Sequence, residues 1–226
     1  MTISHIIFDC DGVLVDSEPL SARADAELMA RFGVNISEAE FRRQFMGRTF
    51  EAMVEEFTTK RGASFPENIV ALKNQRLTEL YKSELQLVRG VRDALETIKG
   101  LGLSMSVASN SPRELVKLAL QVTGLLPFFR DQIITYEDVP SGKPEPDVFL
   151  LAAKRNGASA DNCLAVEDST TGVKAAVDAG CWTLGFTGTH TDGHAHGLKL
   201  REMGAEALFA KMMDLPPLVS TFIHEG

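Results

Sequence analysis

No stretch of this chain approaches the roughly 18 consecutive apolar residues that a membrane-spanning helix needs, and no basic segment followed by a long apolar run marks a secretory leader. Cysteine is scarce. Cys10, Cys163 and Cys181 form an odd set without a close pair, which fits a reduced, cytoplasmic setting better than a disulfide framework. Positive charge is also short: 23 Lys and Arg against 31 Asp and Glu leave a formal net charge of -8, which argues against nucleic acid or an anionic membrane as partner. An anionic small substrate remains compatible, because a local cation can reverse the field inside a cleft. Low-complexity tracts and internal repeats are absent. What is present is globular material: 226 residues, 44% of them hydrophobic, enough for one large domain or a domain with a smaller insert.

The hydrophobic pattern divides the chain. Beyond residue 87, strand and helix alternate. Val91, Ala94, Leu95 and Ile98 mark a helix face ended by Gly100 and Gly102. Leu103 to Ala108 reads as a strand opening onto Ser109-Asn110-Ser111, and Ser111-Pro112-Arg113-Glu114 reads as a capping box. Strands are expected at Ile133 to Tyr136, Cys163 to Val166 and Trp182 to Phe186, with one helix starting at Pro146 and ended by Gly157 and a short one carrying Val173, Ala176 and Val177 closed by Gly180. Such alternation implies a parallel sheet covered on both faces. Residues 17–86 differ. Leu20, Ala24, Leu28 and Phe32 fall in line after Pro19, and Ser37-Glu38-Ala39-Glu40 forms a second capping box followed by Phe41 and Phe45. Gly47 breaks that pattern. Phe50, Met53, Val54 and Phe57 then form one stripe, and Ile69, Leu72, Leu77, Leu80 and Tyr81 another. The expected architecture is an α/β core from residues 1–16 and 87–226, with an all-helical insert, 17–86, able to act as a lid.

Chemistry concentrates where strands end. The apolar run Ile6-Ile7-Phe8 delivers Asp9-Cys10-Asp11-Gly12-Val13-Leu14-Val15-Asp16. Two acids held that close repel, so one pKa rises unless a cation lies between them. One carboxylate as nucleophile and a second as proton donor, with Mg²⁺ screening both, would need this spacing. Three more pointed segments fall at expected strand ends or the loops after them: Ser109/Asn110, Lys143 within Ser141-Gly142-Lys143-Pro144-Glu145-Pro146-Asp147, and Glu167/Asp168. A calcium loop is excluded, because Leu14 and Leu20 stand where its glycine and glutamate belong. Cys10 as a thiol nucleophile would want an arginine six residues on, where the chain has Asp16, so Cys10 reads as a small core residue. His190, His194 and His196 with Asp192 resemble a metal tract in composition, yet their spacing reads as a solvated or locally hydrogen-bonded loop.

Asp-x-Asp-Gly-x-x-x-Asp, Gly-Lys-Pro-x-Pro-Asp and Glu-Asp-Ser, in this order, resemble the motifs of the haloacid dehalogenase superfamily, in its phosphatase and phosphosugar-mutase branch with a helical cap. The resemblance spans essentially the whole chain. It implies a Rossmann-like core, with Asp9 as nucleophile and metal ligand and Asp11 as acid/base with its carbonyl on the metal. It further implies Asp168 as a direct ligand, Glu167 as a nearby or water-bridged one, and Mg²⁺ as cofactor. Lys143 would then supply positive charge to nucleophile and transferred group, while Ser109, Asn110 and Ser111 would meet phosphoryl oxygens. Members that cleave carbon–halogen bonds lack an equivalent of Asp11, so Asp11 favours phosphate esters.

The insert departs from the mutase pattern. Ser21, Met46 and Phe50 stand where such mutases carry His, Lys and Arg, while Lys73 matches a cap cation and Arg48 stands beside Gly47. Arg48 and Lys73 stay open between substrate contacts and exposed helix-end cations. The expectation is an Mg²⁺-dependent phosphatase of a small phosphorylated metabolite, a sugar or sugar-acid phosphate, acting through an aspartyl-phosphate in the cytoplasm, with a monomer favoured. A phosphosugar mutase is the alternative, and a non-catalytic phosphometabolite sensor the alternative of another class.

Overall fold

The structure, a computed structural model, describes residues 3–34, 36 and 50–224. The second capping box, Phe41, Phe45, Gly47 and Arg48 lie outside them. The chain separates into two compact units, Met1–Asp16 with Gln86–Gly226, and Ser17–Leu85.

The larger unit holds a six-stranded sheet: β1 (His5–Phe8), β2 (Ser104–Ser109), β3 (Ile133–Thr135), β4 (Cys163–Glu167), β5 (Trp182–Phe186) and β6 (Ala207–Phe209). Its order is β3-β2-β1-β4-β5-β6 and every pairing is parallel. The helices are α4 (Val91–Gly100), α5 (Arg113–Val122), α6 (Leu126–Phe129), α7 (Asp147–Arg155), α8 (Thr170–Asp178), α9 (Gly193–Glu202) and α10 (Leu215–His224), after three among the described residues of the other unit. All four residues of β1 are buried, as expected of a strand covered on both faces. Ile7 packs with Val148, Phe149 and Ala152 of α7 and Ala175 and Ala176 of α8, while Phe8, pointing the opposite way, meets Phe129 of α6 edge-on at 6.0 Å.

This is the α/β fold with a parallel sheet that the alternation implies and the Rossmann-like core that the resemblance implies; two departures from the sequence reading bear on the site. The Ser111–Glu114 capping box does not form: α5 begins after Pro112, and the Ser111 hydroxyl donates to Asp11 instead. A segment read as loop contains a helix: Asp192 caps α9 by accepting from the Ala195 N–H at 3.0 Å, so His194 and His196 are helical. Gly193 and Gly197 obscure its apolar period, and each sits against a close neighbour. A Cβ on Gly197 would lie 2.9 Å from Leu208 Cδ1, and one on Gly193 3.1 Å from the Thr187 carbonyl.

The smaller unit, among described residues, is helical: α1 (Glu18–Arg31), α2 (Phe50–Arg61) and α3 (Ile69–Glu84). Leu28, Met29, Phe50, Met53, Phe57 and Ile69 form its core. Phe50, at the position where the mutases carry arginine, is a core residue here. Within the larger unit, the Asp16 N–H donates to the Gln86 carbonyl at 3.0 Å and Val15 bridges Leu87, so the two ends of the insertion leave the sheet side by side.

His5 carries a consequence for stability. It is fully buried on β1, with Nδ1 2.7 Å from Ser104 Oγ and Nε2 2.7 Å from Ser106 Oγ, and burial pushes its pKa down from 6.5 to about 4. Between those values the unfolded chain binds a proton that the folded chain refuses. Stability should therefore fall as pH drops through this window, by on the order of 3 kcal/mol for this group. Urea unfolding from pH 7 to pH 4 should show that loss in the wild type and lack it in His5→Gln. Parallel pH curves for the two would contradict the assignment.

Candidate active site

In a sheet of this order the chain crosses from one side of β1 to the other between β3 and β4, which opens a crevice at the carboxyl ends of β1 and β4. Asp9 leaves β1 there, its N–H bonded to the Val166 carbonyl of β4 at 2.9 Å. The next residues turn at once: the Leu14 and Val15 N–H groups donate to the Cys10 carbonyl, and Gly12 N–H to that of Val15 at 2.8 Å. Val13, Leu14 and Val15 are fully buried and anchor the turn. Gly12 adopts φ 79°, and a Cβ there would lie 2.1 Å from Asp168 Oδ2, so both backbone and space demand glycine. Cys10 is buried in this turn. Burial, with Asp11 and Asp9 nearby, pushes its thiol well above the usual range, which disfavours a thiolate.

Lys143 reaches the same crevice from the loop before α7. Asn110 fixes it: the Lys143 N–H donates to Asn110 Oδ1 and Asn110 Nδ2 donates to the Lys143 carbonyl, each at 2.8 Å. Gly142 must be small here, since a Cβ would lie 2.6 Å from Asn110 Oδ1. The buried ammonium donates to Asp9 Oδ1 at 2.5 Å, Glu167 Oε1 at 2.5 Å and the Ala108 carbonyl at 2.7 Å, using all three of its protons. Burial pulls its pKa down, but the two carboxylates outweigh that and hold it above the ordinary lysine value.

Glu167 and Asp168 end β4. Glu167 is wholly buried. Its Oε2 accepts from the Asp168 N–H, Ser169 N–H and Ser169 Oγ at 3.1–3.2 Å. Ser169 in turn caps α8 through the Gly172 N–H at 3.0 Å, and a Cβ on Gly172 would sit 2.0 Å from Glu167 Oε1. Glu167 is thus saturated with donors rather than a solvated helix cap.

The structure brings Asp9, Asp11, Ser109, Asn110, Ser111, Lys143, Glu167 and Asp168 to one end of one sheet. Ser111 Oγ donates to Asp11 Oδ2 at 2.6 Å, and buried Ser109 Oγ accepts the Ser111 N–H at 3.0 Å. Asn110 spends its side chain on the Lys143 main chain. Lys73, in the helical unit, pairs with Asp25 at 2.8 Å and lies 4.6 Å over the Phe50 ring, which gives it a structural role there. Arg48 lies outside the described residues.

Ligand atoms of Asp9, Glu167 and Asp168 all fall within 4.8 Å of one another, and all three residues are buried. Burial first, then the charges of Glu167, Asp168 and Asp11, push the Asp9 pKa well above the carboxylate range, with Lys143 pulling the other way. Three acids against one ammonium leave buried negative charge uncompensated. An all-oxygen donor set with that surplus fits a hard divalent cation such as Mg²⁺.

One set of residues at this site was not legible as part of it. From the segment after β5, Thr189 Oγ1 donates to the Gly12 carbonyl at 3.0 Å, His190 Nε2 lies 3.1 Å from Asp168 Oδ2, and His196 Nε2 lies 2.5 Å from the Asp168 carbonyl. The two imidazoles stack, centroids 3.5 Å apart and 15° from parallel. Burial holds His196 below the ordinary histidine value, the Asp168 carbonyl opposing it. The available signal was position: these residues follow the carboxyl end of a parallel strand, the same end of the sheet as Asp9 and Asp168.

Residues 6–186 match the family profile of haloacid dehalogenase-like hydrolases. The chain is 28% identical over 179 residues to 6-phosphogluconate phosphatase of Escherichia coli (strain K12), covering 79% of this chain and 80% of that protein. It is 31% identical over 209 residues to a phosphorylated carbohydrates phosphatase of Thermotoga maritima, covering 90% and 92%. Among solved structures, a conserved haloacid dehalogenase-like protein of unknown function from Agrobacterium tumefaciens superposes with a TM-score of 0.83 at 30% identity, covering 97% of this chain and 98% of that one.

Proposed function

The chain belongs to the haloacid dehalogenase-like hydrolases and is a phosphoric monoester hydrolase, and from that premise we propose that it hydrolyses a sugar or sugar-acid phosphate through an aspartyl-phosphate on Asp9. The observation that carries this reading is the buried Asp9–Lys143–Glu167 trio beside Asp168. A carboxylate held at 2.5 Å by an ammonium, in a crevice with surplus negative charge, suits in-line attack on a phosphate with a divalent ion alongside.

The steps follow from the side chains. Asp9 attacks phosphorus as the ester P–O bond breaks, and Asp11 gives its proton to the departing oxygen, releasing the alcohol. Asp11 then takes a proton from water, the resulting hydroxide attacks the acyl phosphate, and inorganic phosphate leaves as Asp9 is restored. Lys143 holds Asp9 and offsets charge on the phosphoryl group. Ser109 and the Asn110 main-chain N–H are assigned to the phosphoryl oxygens, while Ser111, whose N–H holds Ser109 Oγ and whose hydroxyl holds Asp11, steadies both. Asp9, Asp168 and the Asp11 carbonyl would hold Mg²⁺, with Glu167 behind them steadying Lys143. When bound, the ion would draw charge from the phosphoryl oxygens and screen the acids from each other.

The test is phosphate release over sugar, polyol, sugar-acid and nucleotide monophosphates. Release should favour the sugar or sugar-acid esters, fall to background in EDTA and return with Mg²⁺. Conversion of a hexose 1-phosphate to its isomer, given trace bisphosphate and no free phosphate, would install the mutase reading instead. No turnover across the panel would leave a phosphometabolite sensor.

A further inference from the structure

We propose that His190 and His196 are positioning residues that hold Asp168 in the orientation its metal-ligand role requires. The inference deepens the reading above and rests on Asp168 being a ligand.

The Asp168 carbonyl can only accept, so His196 presents an Nε2–H to it, and His190 is assigned the same tautomer toward the ionised Asp168 carboxylate. His190 fixes the carboxylate from one side. Gly12 packs against the same oxygen, with room for nothing larger than hydrogen next to Asp168 Oδ2. His196 fixes the peptide on which that side chain turns. The two grips are coupled, because the imidazoles stack 3.5 Å apart and neither can swing without displacing the other. Thr189, the neighbouring residue, ties the same segment to the Gly12 carbonyl at 3.0 Å, so one stretch of chain holds both Asp168 and Gly12. The His190 side chain is only 15% exposed, in contact with Asp168 Oδ2 and stacked on His196.

Carboxylates must converge tightly to bind an ion, and those of Asp9, Glu167 and Asp168 already lie within 4.8 Å. A carboxylate released to sample other rotamers forfeits that arrangement before binding. Loss of such outer partners typically costs 10- to 100-fold in metal affinity.

The experiment is Mn²⁺ binding without substrate, read by electron paramagnetic resonance of the free ion, on the full-length chain and its variants. Circular dichroism and thermal unfolding monitor folding. His190→Ala should weaken Mn²⁺ binding by roughly 10- to 100-fold. His190→Gln, whose amide N–H can reach the same oxygen, should recover most of the loss, and His196→Ala should shift affinity in the same direction. Asp168→Asn serves as the reference. If Asp168→Asn weakens binding while both histidine variants stay within twofold of wild type, the positioning role is overturned and the ligand role of Asp168 stands. If Asp168→Asn binds like wild type, both fall. Equal losses in His190→Ala and His190→Gln would assign the effect to ring packing and overturn the hydrogen-bonded hold.

Discussion

Asp9→Asn is expected to lower kcat by at least about 10⁴-fold while the chain stays folded. An amide cannot attack phosphorus, so the proposed covalent path closes at its first step. The fold should tolerate the change for an electrostatic reason. Asp9 is buried beside Glu167, Asp168 and Asp11, and burial with those charges already pushes its carboxyl toward the neutral form. Neutralising it relieves repulsion, while Lys143 keeps Glu167 and the Ala108 carbonyl as acceptors. Stability should therefore stay within about 1–2 kcal/mol of wild type, because the lost ion pair and the relieved repulsion offset each other. Phosphate release and thermal unfolding measured on one preparation decide the matter. A folded variant that still turns over would remove Asp9 as nucleophile. Asp11→Asn offers a contrast. A missing general acid costs about 10²- to 10⁴-fold on an alkyl ester, and less on an aryl phosphate whose leaving group needs little protonation. That difference between substrates should be absent in Asp9→Asn.

Which parts of this site can be read from sequence follows from how locally each is encoded. Asp9 and Asp11 are legible because Ile6-Ile7-Phe8 is a short apolar run stopped by acids and a glycine, and the structure makes it the central buried strand. Glu167 and Asp168 follow Cys163–Val166 by the same logic. Lys143 is different. Its loop has no period to read, and its place depends on Asn110, 33 residues earlier, which only the fold brings to it. Ser111 shows the converse failure. Its sequence spells a helix cap, but a carboxylate 100 residues away in the chain competes for the same hydroxyl and takes it. His190 stayed illegible as part of the site because it lies in the loop ahead of α9, and His196 because Gly193 and Gly197 interrupt the apolar pattern of that helix. The short β6 lacks the length for a clear alternation, and α10 opens on Pro216-Pro217, which reads as a break although proline suits a first helical turn.

Lys143→Met is expected to cost about 3–5 kcal/mol of stability, more than Asp9→Asn, and to abolish measurable turnover. The asymmetry comes from the charge balance at the site. Lys143 is the cation in contact with both Asp9 and Glu167, each at 2.5 Å, and its side chain is only 3% exposed. Removing it leaves Asp9 and Glu167 buried without the ammonium from which both accept. Methionine replaces the volume but none of the three hydrogen bonds. Glu167→Gln alone should cost less, about 1–3 kcal/mol, because Lys143 retains Asp9 and the amide oxygen can still accept. The double variant tests the cause. If uncompensated charge dominates, Lys143→Met with Glu167→Gln should be less destabilised than the sum of the singles, with a coupling of about 0.5–3 kcal/mol measured by urea unfolding. Strict additivity would mean that lost packing around the lysine stem, not the unpaired acids, sets the cost. In that case the short contacts of Asp9 and Glu167 with one ammonium would have to be reinterpreted as incidental to stability.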